Sequence, residues 1–147
     1  MFRILFALHL IFAIFTVGPL VHAVTTATRG LRQADAHATA YAARMARIYS
    51  GASVLVIIFG VGVATSKDGG KRVAQFSDTW IWLSALLWVL AGALTSAVIA
   101  PTLDQATRQI GEQKSVAPLT TRVAVSGAGV AAIFVTIVFL MVYKPGS

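Results

Sequence analysis

The chain contains no cysteine, which excludes disulfides, thiolate nucleophiles and cysteine-ligated zinc or iron–sulfur clusters. Acid is almost as scarce: five carboxylates stand among 147 residues, and charged residues of both signs make up only 12%, about half the share of an ordinary soluble domain. Charge is also missing in a pattern. Four stretches, roughly 4–24, 48–66, 79–100 and 123–143, contain no Asp, Glu, Lys or Arg. Each is at or near the roughly 20 apolar residues an α-helix needs to cross hydrocarbon about 30 Å thick. Unpaired backbone amides in lipid cost several kcal/mol each, and four short segments cannot close a barrel, so the spans are predicted to be helices.

Further absences narrow the function. No span holds a carboxylate or a cation, so the usual charge carrier of a proton- or sodium-coupled pump is missing. The sequence shows no Gly-rich phosphate loop, nucleophile elbow, paired carboxylates or HExxH motif. Gly69-Gly70 beside Lys71 lacks P-loop spacing and reads as a turn. With four spans in a chain of this length, little remains for a soluble catalytic domain. The expectation is a protein that is not an enzyme, with no catalytic residue, no cofactor and no metal site.

What is present is apolar bulk and positive charge. Hydrophobic residues make up 57% of the chain and the formal net charge is +7. The basic residues flank the spans, so anionic lipid headgroups are the expected partner and nucleic acid is not. Arg3, the apolar run after it and Val21-His22-Ala23 resemble a signal peptide, but the run is long for one. It is expected to be retained as a transmembrane helix.

The predicted fold class is an all-α membrane protein, one four-helix transmembrane domain over 1–147, arranged as two hairpins with helical extensions on one side. The first helix should pass a kink at Gly18-Pro19 and break near Gly30, with Arg29 and Arg32 in water. Asp35 is placed to start the second helix, where Ala38, Tyr41, Met45 and Ile48 form an apolar stripe and Arg44 and Arg47 lie elsewhere. Lys67 to Arg72 is the clearest turn. Ser77-Asp78 reads as the N-cap of the third helix, with Trp80 and Trp82 as interfacial anchors. Pro101 should end or bend that helix. Beyond it Leu103, Ala106 and Ile110 share one face, and Asp104 and Arg108 stand four apart, the spacing of a helical ion pair. Pro118 and Thr120-Thr121 are read as preceding the last helix, which closes at Tyr143-Lys144-Pro145-Gly146.

A weak internal repeat joins the halves. Ala27-Thr28-Arg29 matches Ala106-Thr107-Arg108, and Ser50-Gly51-Ala52 matches Ser126-Gly127-Ala128. Lys and Arg near the span ends favour connections 25–47 and 101–122 by seven to five, so these loops are predicted to be cytoplasmic and both termini outside, in a bacterial inner membrane crossed several times.

Two sets of residues are candidates for contact with something else. His9 lies inside the first span and is expected to be a neutral imidazole bonded to a hydroxyl or carbonyl of a neighbouring helix. Ser50, Ser53, Gly92, Ser96, Ser126 and Gly127 are small residues of the kind that let membrane helices approach closely, within the bundle or against a partner. Arg29, Arg32, Arg44, Arg47 and Arg108 are candidate cytoplasmic contacts to lipid or to a partner.

Leu8-His9-Leu10 in a first span ending in Gly-Pro, the Arg-rich connection from Arg29 to Arg47, and the Trp-rich third span ending Ile99-Ala100-Pro101 resemble a family of small four-helix bacterial membrane proteins, mainly actinobacterial, of unknown function. A remoter likeness to copper-resistance-type membrane proteins rests on His9. Small chains similar to these associate with mycobacterial lipid importers and respiratory supercomplexes. The resemblance implies a non-catalytic accessory or stabilising subunit of a larger membrane protein complex, with a slight lean to a lipid transporter. The alternatives are a haem- or quinone-binding redox protein using His9, or a small homo-oligomeric pore.

Overall fold

The computed structural model describes residues 1–145. Four helices, each long and apolar enough to cross a membrane, make up most of it: α1 (Phe2–Arg32), α2 (Ala36–Thr65), α3 (Thr79–Gly111) and α4 (Ala117–Tyr143). The protein is all-α and multi-pass. Three of the four predicted spans lie inside these longer helices and the second, 48–66, overruns α2 by Ser66 alone, so the expected extensions are continuations of the same rods.

Sequence neighbours pack against each other, and α1 also packs along α4, so the helices form a four-membered ring with every adjacent pair antiparallel. Leu20, Val24, Ile99, Leu103, Val123 and Val130 are fully buried between them. Large apolar side chains elsewhere face outward, including Ile4, Phe15, Leu86 and Val138. A soluble protein would hide such residues; facing hydrocarbon, they cost nothing.

Both kinks and turns come in matched pairs. In α1 the segment Ala13–Val17 is π-helical immediately before Gly18-Pro19, and in α3 the segment Leu94–Ile99 is π-helical immediately before Ala100-Pro101. The cause is steric. A proline ring clashes with the carbonyl four residues earlier, here Phe15 and Ala97, and a widened turn carries that carbonyl aside. Buried threonine hydroxyls add bonds to carbonyls at the two sites, Thr16 Oγ1 to Phe12 O at 2.6 Å and Thr95 Oγ1 to Ala91 O at 2.8 Å. The prolines therefore widen a turn of each helix without ending it, and α3 runs on past Pro101 to Gly111.

The α1–α2 and α3–α4 turns are capped alike. Gln33 N donates to Arg29 O, Ala34 N to Leu31 O and Asp35 N to Gly30 O; Glu112, Gln113 and Lys114 repeat the pattern onto Arg108, Ile110 and Gln109. Ala34 and Gln113 take the left-handed conformation, at φ 50° and 55°, that usually falls to glycine. These bonds keep the register of Ala27-Thr28-Arg29 against Ala106-Thr107-Arg108, so this first match of the repeat recurs in the backbone of the turns.

Several boundaries differ from expectation. Gly30 does not break α1; it is buried in the last turn, where an added Cβ would stand 3.0 Å from Ala38 Cβ, and its bareness lets α1 and α2 meet. Helix α4 begins at Ala117, with Pro118 in its first turn, where the missing N–H costs no bond. Asp35 caps α2 as expected, accepting from Ala38 N at 3.0 Å. Asp78 precedes α3, but its carboxylate accepts from Gln75 N and not from the helix. Lys67–Asp68 and Lys71–Arg72 pair as a two-residue β-hairpin, β1 and β2, turning through Gly69 and Gly70 at φ 60° and 86°. Such a turn requires positive φ at both positions. Of the predicted closing residues, Gly146 lies outside the described residues.

The stripe Ala38, Tyr41, Met45 and Ile48 does not face the core. Tyr41 is 66% and Ile48 48% exposed, while Thr39, Ala42, Ala43 and Ala46 are the buried positions of α2. The buried positions of this part of α2 are small residues, and the bulky Tyr41 and Ile48 turn outward.

Candidate functional site

The candidate small residues divide between two helix crossings. At the α1–α4 crossing Gly127 is buried, and a Cβ there would lie 2.5 Å from the carbonyl oxygen of Val24. Since that obstacle is backbone, only glycine allows this approach. Ser126, beside it, is half-buried. Gly127 seals the ring between its first and last helices.

At the α2–α3 crossing the outcome is different. Ser50, Gly51, Gly92 and Ser96, together with Arg47, Val54 and Trp88, line an open groove of about 450 Å³. Nothing lies within 4 Å of a Cβ added at Gly51, and at Gly92 the nearest atom is Ser50 Oγ at 4.0 Å. Ser96 is exposed. These small residues form the walls of a recess that the chain leaves unfilled.

The floor of the recess is tied down by hydrogen bonds. Trp88 Nε1 donates to Ser53 Oγ at 3.1 Å, and Ser53 Oγ donates to Ser50 O at 2.6 Å. A serine hydroxyl returned to the preceding turn bends a helix, and α2 is interrupted at Ser53, where Val56 N reaches back only three residues, to Ser53 O. Nearer the turns, Thr39 and Thr107 hydroxyls meet at 2.8 Å across the same pair of helices. The interruption and the indole together fix the width of the recess.

Arg47 and Asp104 close its outer end as a bidentate ion pair. The hydrogen bonds that Arg47 donates to Asp104 hold its pKa above the ordinary value, so the guanidinium stays charged. Asp104 thus turns to the neighbouring helix and does not pair with Arg108. The pair is about half exposed, and its contribution to stability is at most about 1 kcal/mol.

His9 sits at the α1–α2 seam. Its Nδ1 lies 2.9 Å from the Val56 carbonyl oxygen, and as the partner is a carbonyl this nitrogen is the donor. The ring reaches that carbonyl because residue 60 is glycine: a Cβ there would stand 3.1 Å from His9 Cε1. Phe12 stacks on Phe59 one turn away, ring centroids 5.0 Å apart. The expected carbonyl-bonded histidine is the one observed. His22 and His37 are exposed, and among the described residues no three His, Asp or Glu side chains converge as metal ligands would.

Arg29, Arg32, Arg44 and Arg108 are exposed on the extensions. Of these, Arg29 alone borders a recess between α1 and α2 that the sequence reading missed, lined also by His22, Tyr41, Met45 and Tyr49. A signal for it was present: three residues of the apolar stripe, Ala38, Tyr41 and Met45, are among its walls. Trp88 was missed as well, although it lies one helical turn before Gly92 on the face of the small residues.

No protein family, curated protein or solved structure matches this chain.

Proposed function

We propose that the protein is a non-catalytic accessory subunit of a larger membrane assembly, docked through the α2–α3 groove. The observation that supports this reading is that Ser50, Gly51, Gly92 and Ser96 border empty space. In lipid, helices associate through close van der Waals packing and interhelical hydrogen bonds, because apolar surface gains nothing by leaving hydrocarbon for another apolar surface. A recess walled by small residues is therefore a seat for a partner's transmembrane helix, and the half-exposed Arg47–Asp104 pair at its end offers such a helix a polar terminus to meet. Among possible assemblies, the resemblance to small actinobacterial membrane proteins favours a lipid transporter in a bacterial inner membrane, with 25–47 and 101–122 on the cytoplasmic side.

Affinity purification in mild detergent should recover a larger membrane protein in fixed ratio. Replacing Ser96 by Trp fills the groove and should abolish recovery, whereas Val135→Phe, on an exposed position of α4, should leave it intact. A solitary monomer, or a partner indifferent to Ser96→Trp, sinks the proposal. The natural absence of cysteine makes orientation simple to test. Gln33→Cys should react with an impermeant maleimide only from the cytoplasmic side, and Gly69→Cys only from the other.

A further inference from the structure

The recess between α1 and α2 has a volume of about 350 Å³. It is closed at the turn end, where Gly30 lets α1 touch Ala38. Its lining changes character along its length. Ala23, Met45 and Tyr49 lie at the level where the first and second spans end, and Arg29 lies seven residues beyond His22, about 10 Å farther out at about 1.5 Å per residue. His22 and Arg29 are therefore two turns apart on one face of α1.

The lining contains no acidic residue. Among the described residues, the side chains of His22, Arg29, Tyr41 and Tyr49 make no hydrogen bond or ion pair within the protein. Other polar groups on the same extension do find partners, as Arg47 finds Asp104 and Thr39 finds Thr107. A guanidinium that shares its recess with the Tyr41 phenol, above a floor of Ala23, Met45 and Tyr49, matches an anion carried on an acyl chain. Arginine is the side chain best suited to phosphate oxygens, which it binds through paired N–H groups. An occupant that enters sideways from the membrane is a lipid.

We infer that this groove holds one anionic phospholipid, its phosphate at Arg29 and an acyl chain against Met45 and Tyr49. The inference depends on the membrane placement of the helices and is independent of the α2–α3 docking groove. A single built site also differs from a general cationic surface, since Arg32 and Arg44 carry equal charge nearby and lie outside the lining.

The full chain, reconstituted in nanodiscs of phosphatidylcholine with a minority of phosphatidylglycerol, should retain one phosphatidylglycerol in native mass spectrometry. Arg29→Gln should lower that retained fraction about tenfold, the equivalent of one charge-assisted hydrogen bond. Arg32→Gln removes the same charge outside the groove and should change little. Ala23→Phe fills the apolar end with all charges in place and should also expel the lipid; circular dichroism of each variant verifies folding. Equal losses for Arg29→Gln and Arg32→Gln would mean diffuse attraction and would overturn the inference. So would displacement by millimolar inorganic phosphate, full retention in Ala23→Phe, a polypeptide found in the groove, or no retention at all.

Discussion

The α1–α4 and α2–α3 crossings occupy equivalent places in a ring built from two similar hairpins, yet one is sealed and the other gapes. A Ser-Gly-Ala triplet enters each. In α4 the glycine turns inward onto the Val24 backbone. In α2 the serine takes the inward place, Ser50 being buried, while Gly51 faces outward. A shift of one position on a helix is about 100°, enough to carry a glycine from a contact to an open surface. Small residues permit close approach only when a neighbour's backbone is there to approach.

The sharpest way to break this comparison is to add one methyl group at each glycine. Gly127→Ala should destabilise the bundle by about 1–3 kcal/mol, because the Val24 carbonyl must move and α1 with it. Gly51→Ala should stay within about 0.5 kcal/mol, as for an ordinary surface position. Unfolding in mixed micelles measures both, and equal losses would mean that the two crossings are packed alike.

A smaller effect is expected at the seam inside the first hairpin. His9→Leu removes a bond to a carbonyl in the membrane and should cost about 0.6–1.7 kcal/mol. Gly60→Ala, which displaces the same ring, should cost a similar amount, and in the double variant the two losses should fall short of additive. Full additivity would separate the glycine from the histidine.

The paired turns offer a test with the opposite sign. Ala34→Gly and Gln113→Gly should each stabilise the protein, by up to about 1 kcal/mol, since glycine carries no penalty at positive φ. Similar gains at the two sites would strengthen the equivalence of the hairpins; a gain at one alone would weaken it.

The smallest effect belongs to the exposed ion pair. Asp104→Asn should cost about 0.2–1 kcal/mol in dilute buffer and less in high salt. Because Asp104 raises the Arg47 pKa, the arginine's share is complete below the ordinary guanidinium range and is lost only as pH rises above it. Stability of the wild type should therefore show no dependence on Arg47 titration across the neutral range.

Much of this was legible in the residues. Uncharged runs mark the four spans, Asp35 marks the start of α2, and Gly69-Gly70 marks the turn between hairpins, each through local chemistry that needs no neighbour. The prolines were legible as bends, but whether a helix resumes beyond a bend depends on what packs beside it, and α1 and α3 resume because their extensions pack on α2. The stripe through Tyr41 and Met45 was legible as an apolar face, but periodicity shows that a helix has faces without showing which face is inward. In a soluble protein the larger apolar face would be buried. Here the face of Thr39, Ala42, Ala43 and Ala46 is inside.

The sequence by itself determined that four helices are long and apolar enough to cross a membrane and where their uncharged spans run, because the cost of burying a charge or an unbonded amide in hydrocarbon is met residue by residue. Only the tertiary structure decided which small residues seal the bundle and which surround open space. That choice rests on the rotation of each helix against its neighbour's backbone, and composition, spacing and hydropathy leave rotation undetermined.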